Sequence, residues 1–355
     1  MNKFKFYFIA LSAAVVLFSC NKADDLDYEI LHEYGTQYEN DSAVIIDYLH
    51  GHYISSYIDH PGFSDDQDVV ISKITNAAEQ QSLWDSPLLH SIDVDRNDIT
   101  YKVYYLQLRE GDAVNGKNPS RVDNVLVSYE GTYLRLGEEP TLFDSAIYPD
   151  SYFALNSLII GWSEIMPLFK TGVFNQAASE GGPAVYDNFG AGVMFIPSGL
   201  GYYNTALSTV PAYAQLMFKF KLYDLKRADQ DNDGILSNDE DLNHNGIFTD
   251  DDTDGDGIQN YLDTDDDGDG YLTKIETLIP GTGSGTPYPA AYYPYDGAAV
   301  DDPATPQIDE RQGIPRKFTG PIDPITNLHT PLPEDFTDPT RLRRNLDVTA
   351  IPPFQ

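Results

Sequence analysis

Oxygen-bearing side chains recur at a regular spacing between Asp229 and Glu276. The first run, residues 229–240, places them at positions 1, 3, 5, 9 and 12, with Gly234 at position 6. Ca²⁺ takes about six to eight oxygen ligands in a flexible cage, and a glycine at the sixth position permits the sharp turn of such a loop. The spacing therefore predicts a calcium-binding loop, in which the main-chain carbonyl of Ile235 is the ligand at position 7.

The same spacing starts three more times, which gives loop 1 (229–240), loop 2 (241–252), loop 3 (252–263) and loop 4 (265–276). A disordered acidic linker is the alternative, but it would not keep each glycine and the residue after it in register. The side chain at position 9 is Ser237, Thr249, Asn260 or Thr273. The other predicted ligands, with main-chain carbonyls at position 7, are Asp229, Asp231, Asp233, Ile235, Glu240, Asp241, Asn243, Asn245, Ile247, Asp252, Asp254, Asp256, Ile258, Asp263, Asp265, Asp267, Asp269, Tyr271 and Glu276.

Negative charge is concentrated in these loops. The chain has a net charge of -34, and 17 acidic residues accompany a single lysine, Lys274, between Asp229 and Glu276. Carboxylates this crowded repel one another into disorder unless cations neutralise them, so Ca²⁺ is expected as a structural cofactor. The excess of acid argues against nucleic acid as a partner, because phosphate binding needs clustered Lys and Arg. The loops have no paired helices between them and resemble thrombospondin type 3 repeats, in which calcium takes the place of a hydrophobic core.

A second group of residues is aromatic and aliphatic and surrounds one acid, Asp144. It spans residues 125–222 in five blocks, VLVSYEGTYL, LFDS, FALNSLIIGW, IPSGLGYYN and VPAYAQLMFKFKL. In this order the blocks resemble the FKBP-type peptidyl-prolyl cis-trans isomerases, over roughly a third of the chain. The resemblance implies an α+β domain, in which an antiparallel sheet curls around a short helix. It also implies proline-containing polypeptides as partners.

Rotation about an X–Pro bond has a barrier of ~18–20 kcal/mol. It breaks no bond, so no catalytic cofactor is expected, and an apolar pocket that excludes water would stabilise the twisted amide. The resemblance implies that Trp162 floors this pocket, that Asp144 faces the substrate carbonyl region, and that the Tyr202 hydroxyl and the Ile159 N–H donate hydrogen bonds to a ligand. Taken singly, several of these aromatic residues would be ordinary core. The implied pocket residues are Tyr129, Phe143, Asp144, Phe153, Leu158, Ile159, Trp162, Tyr202, Val210 and Phe218.

Two features depart from the family pattern. Gly201-Tyr202-Tyr203 stands where the family has Ala-Tyr-Gly, so we expect a different loop over the pocket. Residues 173–192 form a segment that a compact FKBP domain lacks. This segment is expected either to shape specificity or to occlude the pocket.

Periodicity predicts the elements that carry these residues. Alternating apolar residues predict strands over 100–108, 125–129 and 216–222. Helical spacing predicts a helix over 42–53 and a short one over 162–168. Candidate N-caps of the first helix are Asn40, Asp41 and Ser42.

The only cysteine, Cys20, follows an apolar segment that is too short for a membrane span and is typical of a signal peptide. The run LFSC, which ends at Cys20, resembles a bacterial lipobox, in which the cysteine is acylated. An ordinary signal peptide or a buried thiol is the alternative. The resemblance implies a membrane partner through a lipid anchor and a place on the bacterial cell envelope outside the cytoplasm, at the outer membrane or on the cell surface.

These features predict five segments: a lipoprotein signal peptide (1–19), a tether with an N-terminal helical region (20–98), an FKBP-like isomerase domain (99–226), calcium-binding repeats (227–279) and a Pro-rich C-terminal extension (280–355). The leading hypothesis is an extracytoplasmic prolyl isomerase or folding factor. One alternative is a non-catalytic peptide-binding module. The other is a structural calcium-binding surface lipoprotein, in which the isomerase fold is a spacer.

Overall fold

The computed structural model describes residues 31–58, 67–182, 184–283, 286, 290–297, 311, 313–316, 336 and 340–352. The predicted signal peptide and the predicted lipidation site at Cys20 lie outside these residues. Within the described ranges, every helix is too short or too polar to span a bilayer.

Antiparallel strands and few helices make up the described chain. Seven strands form the main sheet, in the order β3-β4-β10-β11-β5-β6, with β7 paired to β5. They are β3 (Leu89–Arg96), β4 (Ile99–Arg109), β5 (Asn124–Leu134), β6 (Thr141–Ala146), β7 (Phe153–Ala154), β10 (Gly190–Ile196) and β11 (Gln215–Lys226). Two hairpins stand apart from it, β1 (His52–Ile58) with β2 (Asp68–Lys73), and β8 (Val173–Phe174) with β9 (Tyr186–Asp187). The three predicted strands therefore all form, as the inner parts of β4, β5 and β11.

The inner face of the main sheet packs on a short helix, α2 (Ile160–Ile165), which continues as a 3₁₀ turn to Leu168. Period-two alternation sends Leu216, Phe218 and Phe220 of β11 to this face, where they meet Trp162 and Ile165 in one buried cluster. The predicted curled sheet over a short helix matches this arrangement. The helix sits close to the sheet because residue 161 is a glycine, since a Cβ there would lie 2.5 Å from the Ile196 side chain.

The outer face of the sheet is covered by a long helix, α1 (Tyr34–Gly51), and by the β1–β2 hairpin. Ile45 and Leu49 of α1 pack on Val193 and Phe195 of β10. This helix begins at Tyr34 rather than at Ser42, so the predicted N-caps Asn40, Asp41 and Ser42 lie inside it. The predicted domain boundary at residue 99 falls within a hairpin, since β3 is paired with β4 along its whole length.

The acidic loops are followed by a C-terminal segment that packs back on them. The regular structure of the described residues here consists of short 3₁₀ turns, a four-residue helix α3 (Thr273–Glu276) and two isolated bridges, Leu278–Tyr292 and Arg316–Arg343. Ile235 of loop 1 joins a small buried cluster with Ile279, Tyr293 and Ile314. The predicted boundary between residues 279 and 280 therefore passes through a shared cluster.

Candidate functional site

Nine of the ten predicted pocket residues line one cavity of about 140 Å³ on the inner face of the sheet. Val127 is a further lining residue that the sequence did not indicate. Val210 is the exception among the ten, because it is buried within the core cluster and does not line the cavity. The nine are Tyr129, Phe143, Asp144, Phe153, Leu158, Ile159, Trp162, Tyr202 and Phe218.

Separate elements bring these side chains together. β5, β6, β7 and β11 supply walls, α2 supplies Trp162, and the loop after β10 supplies Tyr202. Gly131 of β5 makes room for two of the walls, because a Cβ at this position would lie 2.7 Å from Phe218 and 2.9 Å from Phe143. The cavity thus depends on a glycine that has no functional group of its own.

The rings of the cavity meet edge to face. The Trp162 centroid lies 5.2 Å from that of Phe218 and 5.6 Å from that of Tyr129, with interplanar angles of 72° and 79°. Phe143 is edge-on to Phe218 at 5.6 Å. Such pairs place a positive ring edge on a negative ring face, which fixes each ring beyond simple area burial. The result is a rigid apolar wall, suited to a small aliphatic ring.

Three polar groups interrupt this apolar lining, those of Tyr129, Asp144 and Tyr202. The Tyr129 hydroxyl donates a hydrogen bond to Oδ2 of Asp144 at 2.6 Å. Burial and this hydrogen bond raise the pKa of Tyr129, so its hydroxyl keeps its proton at neutral pH. Burial and the charge of Asp144 also raise the pKa of Tyr202. The cavity therefore holds one carboxylate and two protonated phenols.

The loop that carries Tyr202 is held by the N-terminal residues. Tyr203 has a φ of +49°, a left-handed conformation at the position where the family pattern has glycine. Its ring stacks on Tyr34 at a centroid distance of 4.2 Å, and its hydroxyl donates to the carbonyl of His32. His32 in turn stacks on Tyr213 at 4.2 Å. The sequence did not indicate these contacts. It did indicate a different loop, because Tyr203 stands where the family pattern has glycine.

The long segment after α2 forms the β8–β9 hairpin. Tyr186 of this hairpin packs near Tyr223 of β11, with ring centroids 5.7 Å apart. None of its described residues lines the aromatic cavity. Of the two expected roles, occlusion of the pocket has no support from the described part of this segment.

Loops 1 and 4 gather acids around unpartnered oxygens. Asp229, Asp231 and Asp233 of loop 1 place ligand atoms within 4.8 Å of one another, and Asp265, Asp267 and Asp269 of loop 4 do the same. In each loop the second and third acids accept a backbone N–H two residues ahead with Oδ1, while Oδ2 is buried and has no partner among the described residues. Both carboxylate oxygens of Glu240 and of Glu276 are buried without a partner as well.

These buried acids repel one another. Burial, with the nearby charges of Asp233 and Asp266, raises the pKa of Glu240 to about 10. Burial, with the charges of Asp267 and Asp269, raises the pKa of Glu276 to about 9. A buried carboxylate that accepts no hydrogen bond is unfavourable unless a cation or a proton neutralises it. The oxygen donors, their number and their enclosure fit Ca²⁺.

The side chain at position 9 has a structural role within its own loop, and its predicted role as a ligand stays a prediction. Ser237, Asn260 and Thr273 each accept the backbone N–H of position 2 in their own loop, at 2.9–3.1 Å. Their own N–H groups donate to the carbonyl of the residue before the loop. This repeated pair of hydrogen bonds closes loops 1, 3 and 4 without an ion.

Loops 2 and 3 differ from the other two. In loop 2, the amide nitrogen of Asn245 donates to Asp250 at 2.8 Å, and both oxygens of Asp241 accept backbone N–H groups. The side chains of Asp241 and Asn245 thus have partners without an ion, whereas Oδ2 of Asp251 is buried without a partner among the described residues. In loop 3, Asp252, Asp254 and Asp256 also place ligand atoms within 4.8 Å of one another, but Asp254 and Asp256 are exposed.

Comparisons with known proteins match two parts of this chain. The sequence model of a family described as BamM C-terminal matches residues 230–307, which cover the acidic loops and part of the segment after them. A peptidyl-prolyl cis-trans isomerase from Pseudomonas syringae pv. tomato str. DC3000 is 21% identical, with a TM-score of 0.29, over 40% of this chain and 84% of that chain. FkpA from Escherichia coli is 25% identical, with a TM-score of 0.27, over 35% of this chain and 48% of FkpA. No curated protein matches. The resemblance of the loops to thrombospondin type 3 repeats stays a prediction.

Proposed function

We propose that this chain is an FKBP-like peptidyl-prolyl cis-trans isomerase, or folding factor, that acts on X–Pro bonds of extracytoplasmic polypeptides. The observation that carries the proposal is the aromatic cavity, in which eight predicted residues from separate parts of the chain surround Asp144. The rings of Trp162, Phe218 and Tyr129 form a rigid apolar site for a proline side chain. A site that excludes water favours the twisted amide, because its carbonyl needs hydrogen bonds less than the planar amide does.

Two polar features orient the substrate in this proposal. The Asp144 carboxylate, held by Tyr129, lies beside the place where the amide carbonyl rotates, and the Tyr202 hydroxyl donates a hydrogen bond to the bound peptide. The cavity needs no cofactor for this chemistry, because no covalent bond breaks. The proposed Ca²⁺ ions are structural and bind in the acidic loops, foremost in loops 1 and 4.

A prolyl isomerisation assay on the full chain, purified in detergent, tests this function. We expect the wild type to accelerate cis-to-trans conversion of a Phe–Pro peptide. Asp144 is exposed, so Asp144→Asn leaves the fold intact and lowers kcat/KM about tenfold, as loss of a charge-assisted hydrogen bond of ~1.5 kcal/mol requires. Asp150→Asn, at another exposed acid in the following loop, is the matched control and keeps the wild-type rate.

The two alternatives give other outcomes in the same experiment. A folded protein that binds the peptide and does not accelerate isomerisation is a peptide-binding module. A folded protein that neither binds nor isomerises the peptide favours a structural calcium-binding lipoprotein. In all three cases we propose that Cys20 carries the lipid anchor, and equal labelling of wild type and Cys20→Ser by a fatty-acid analogue would disprove that anchor.

A further inference from the structure

Three buried acids meet between loop 1 and loop 4. Asp233, Glu240 and Asp266 place carboxylate oxygens within 4.8 Å of one another, and their exposed fractions are 1%, 2% and 2%. Asp233 and Glu240 belong to loop 1, whereas Asp266 is the second residue of loop 4. The spacing of a single calcium loop gives position 2 no ligand role, so the sequence did not indicate this group.

The oxygens of this group have no protein partners to satisfy them. Oδ2 of Asp233, Oδ1 of Asp266 and both carboxylate oxygens of Glu240 are buried and accept no hydrogen bond from a described residue. Buried polar atoms are nearly always hydrogen-bonded in folded proteins, so unpartnered ones in a group indicate a missing ligand. Three buried carboxyl groups with unpartnered oxygens, whose ligand atoms lie within 4.8 Å of one another, indicate a cation.

A fourth side chain reaches this group from the C-terminal segment. Nδ2 of Asn345 donates to Oδ2 of Asp266 at 3.1 Å, and Asn345 is 0% exposed. Its Oδ1 is also buried without a partner. Asn345 lies on the 3₁₀ turn Arg344–Leu346, which is held by a hydrogen bond from the Arg344 N–H to the carbonyl of Pro315. An amide oxygen is a common calcium ligand.

The number of charges exceeds what one ion can neutralise. Asp233 is shared with the loop 1 group, so Asp229, Asp231, Asp233, Glu240 and Asp266 bring five carboxylates together. No described lysine or arginine forms an ion pair with any of the five. One divalent ion would leave three uncompensated buried charges, and two would leave one. Since uncompensated buried charge is strongly unfavourable, two ions fit this volume better than one.

We propose that a second Ca²⁺ binds between loops 1 and 4, on Asp233, Glu240 and Asp266, and that the Asn345 side chain helps to enclose it. The proposal of this ion depends on the proposed calcium binding of loop 1, because the two sites share Asp233 and Glu240. The ion fastens the C-terminal segment to the loops. Among the hydrogen bonds of the described residues, Asn345 contacts loop 4 only through Asp266. An all-protein cage of carboxylates and an amide favours Ca²⁺ over Mg²⁺, which retains several waters.

Native mass spectrometry of the full chain in detergent, with Ca²⁺ as the only added metal, tests this site. Asp266→Asn keeps the side-chain shape and an acceptor for Asn345, and we expect it to bind one Ca²⁺ fewer than the wild type. Asn345→Ala should weaken one ion about tenfold. Asp47→Asn, at an exposed acid of α1 outside the loops, is the matched control and should bind as many Ca²⁺ ions as the wild type.

Trypsin gives a second measurement. In calcium, the wild type and Asp47→Asn should resist cleavage at Arg343 and Arg344, whereas Asp266→Asn and Asn345→Ala should be cleaved there about as fast as wild type in chelator. Unchanged ion counts, affinities and cleavage in both Asp266→Asn and Asn345→Ala would overturn the second site and leave calcium binding by the loops intact. A wild type that binds no Ca²⁺ would instead refute the calcium proposal as a whole. Should Asp266→Asn fail to fold, Asn345→Ala decides the matter.

Discussion

Trp162 belongs to the core and to the cavity at once. It is 4% exposed, and its ring contacts Phe218 and Phe220 of the sheet as well as Tyr129 of the cavity wall. Truncation of such a residue to alanine costs about 3–5 kcal/mol, out of the ~5–15 kcal/mol that stabilises a typical domain. Loss of activity in Trp162→Ala would therefore not separate chemistry from folding, and a less disruptive probe is needed.

Its fluorescence supplies that probe. The chain has two tryptophans, and the other, Trp84, lies on the outer face of the sheet beside His50 and Tyr104. We predict that a proline-containing peptide changes the emission of Trp84→Phe, in which Trp162 is the reporter, and leaves the emission of Trp162→Phe unchanged. Titration of both variants with the same peptide is the measurement. Equal responses from the two variants would place the peptide elsewhere.

At the residue scale, the sequence indicated nine cavity residues because their order and chemistry resemble a known family. Alternation put Val127 on the same face as Tyr129, but the resemblance did not single it out as a pocket residue. The sequence could not place Val210, because its burial depends on the sheet behind it. The sequence failed to indicate Asp266 as a ligand for a different reason. Its partners come from another loop, and no local spacing can report a contact between loops.

At the scale of elements, alternating apolar residues predicted the strands, but helical spacing did not predict where α1 begins. Helical periodicity depends on the spacing of apolar residues, whereas the first part of α1 is held in place by buried polar residues. Asp41 is fully buried and accepts four hydrogen bonds: from Nε2 of Gln37 and Nε2 of Gln215, both at 2.6 Å, and from the N–H and Oγ of Ser198, both at 2.7 Å. Ser198 starts the turn that leads to Tyr202, so this carboxylate joins the helix to the loop over the cavity.

Replacement of Asp41 should therefore affect the whole domain. The four groups that contact its carboxylate are all donors. Asp41→Asn replaces one acceptor oxygen with an N–H₂ group, which then faces a donor. We predict a loss of about 2–4 kcal/mol in the free energy of unfolding, as for a broken buried network. Asp47→Asn, at an exposed position of the same helix, should stay within about 0.5 kcal/mol. Urea unfolding of the two variants measures the difference, and similar midpoints would show that the network contributes little.

At the scale of the whole molecule, the acidic loops support the cavity directly. Gln230, the second residue of loop 1, donates from Nε2 to the carbonyl of Val122 at 2.9 Å and accepts from Nδ2 of Asn156 at 2.6 Å. Asn156 lies in the turn between two wall residues, Phe153 and Leu158. A second connection runs through Arg121, which pairs with Glu164 of α2 at 2.6 Å and donates to the carbonyl of Gly246 in loop 2. Both connections end on elements that form the cavity.

We therefore expect calcium to influence isomerisation from the acidic loops, whose acids do not line the cavity. Chelation leaves the crowded acids of loop 1 uncompensated, which loosens the loop that presents Gln230. We predict that chelation lowers kcat/KM of the full chain about five- to thirtyfold, as the loss of one or two hydrogen bonds of ~1 kcal/mol requires. Gln230→Ala should show the lowered rate in calcium and respond little to chelator. Gln259→Ala, whose amide donates within loop 3 to the Gly257 carbonyl at 3.5 Å, is the control and should behave as wild type. If chelation changes the rates of wild type and Gln230→Ala equally, the loops act on the cavity by a route other than Gln230.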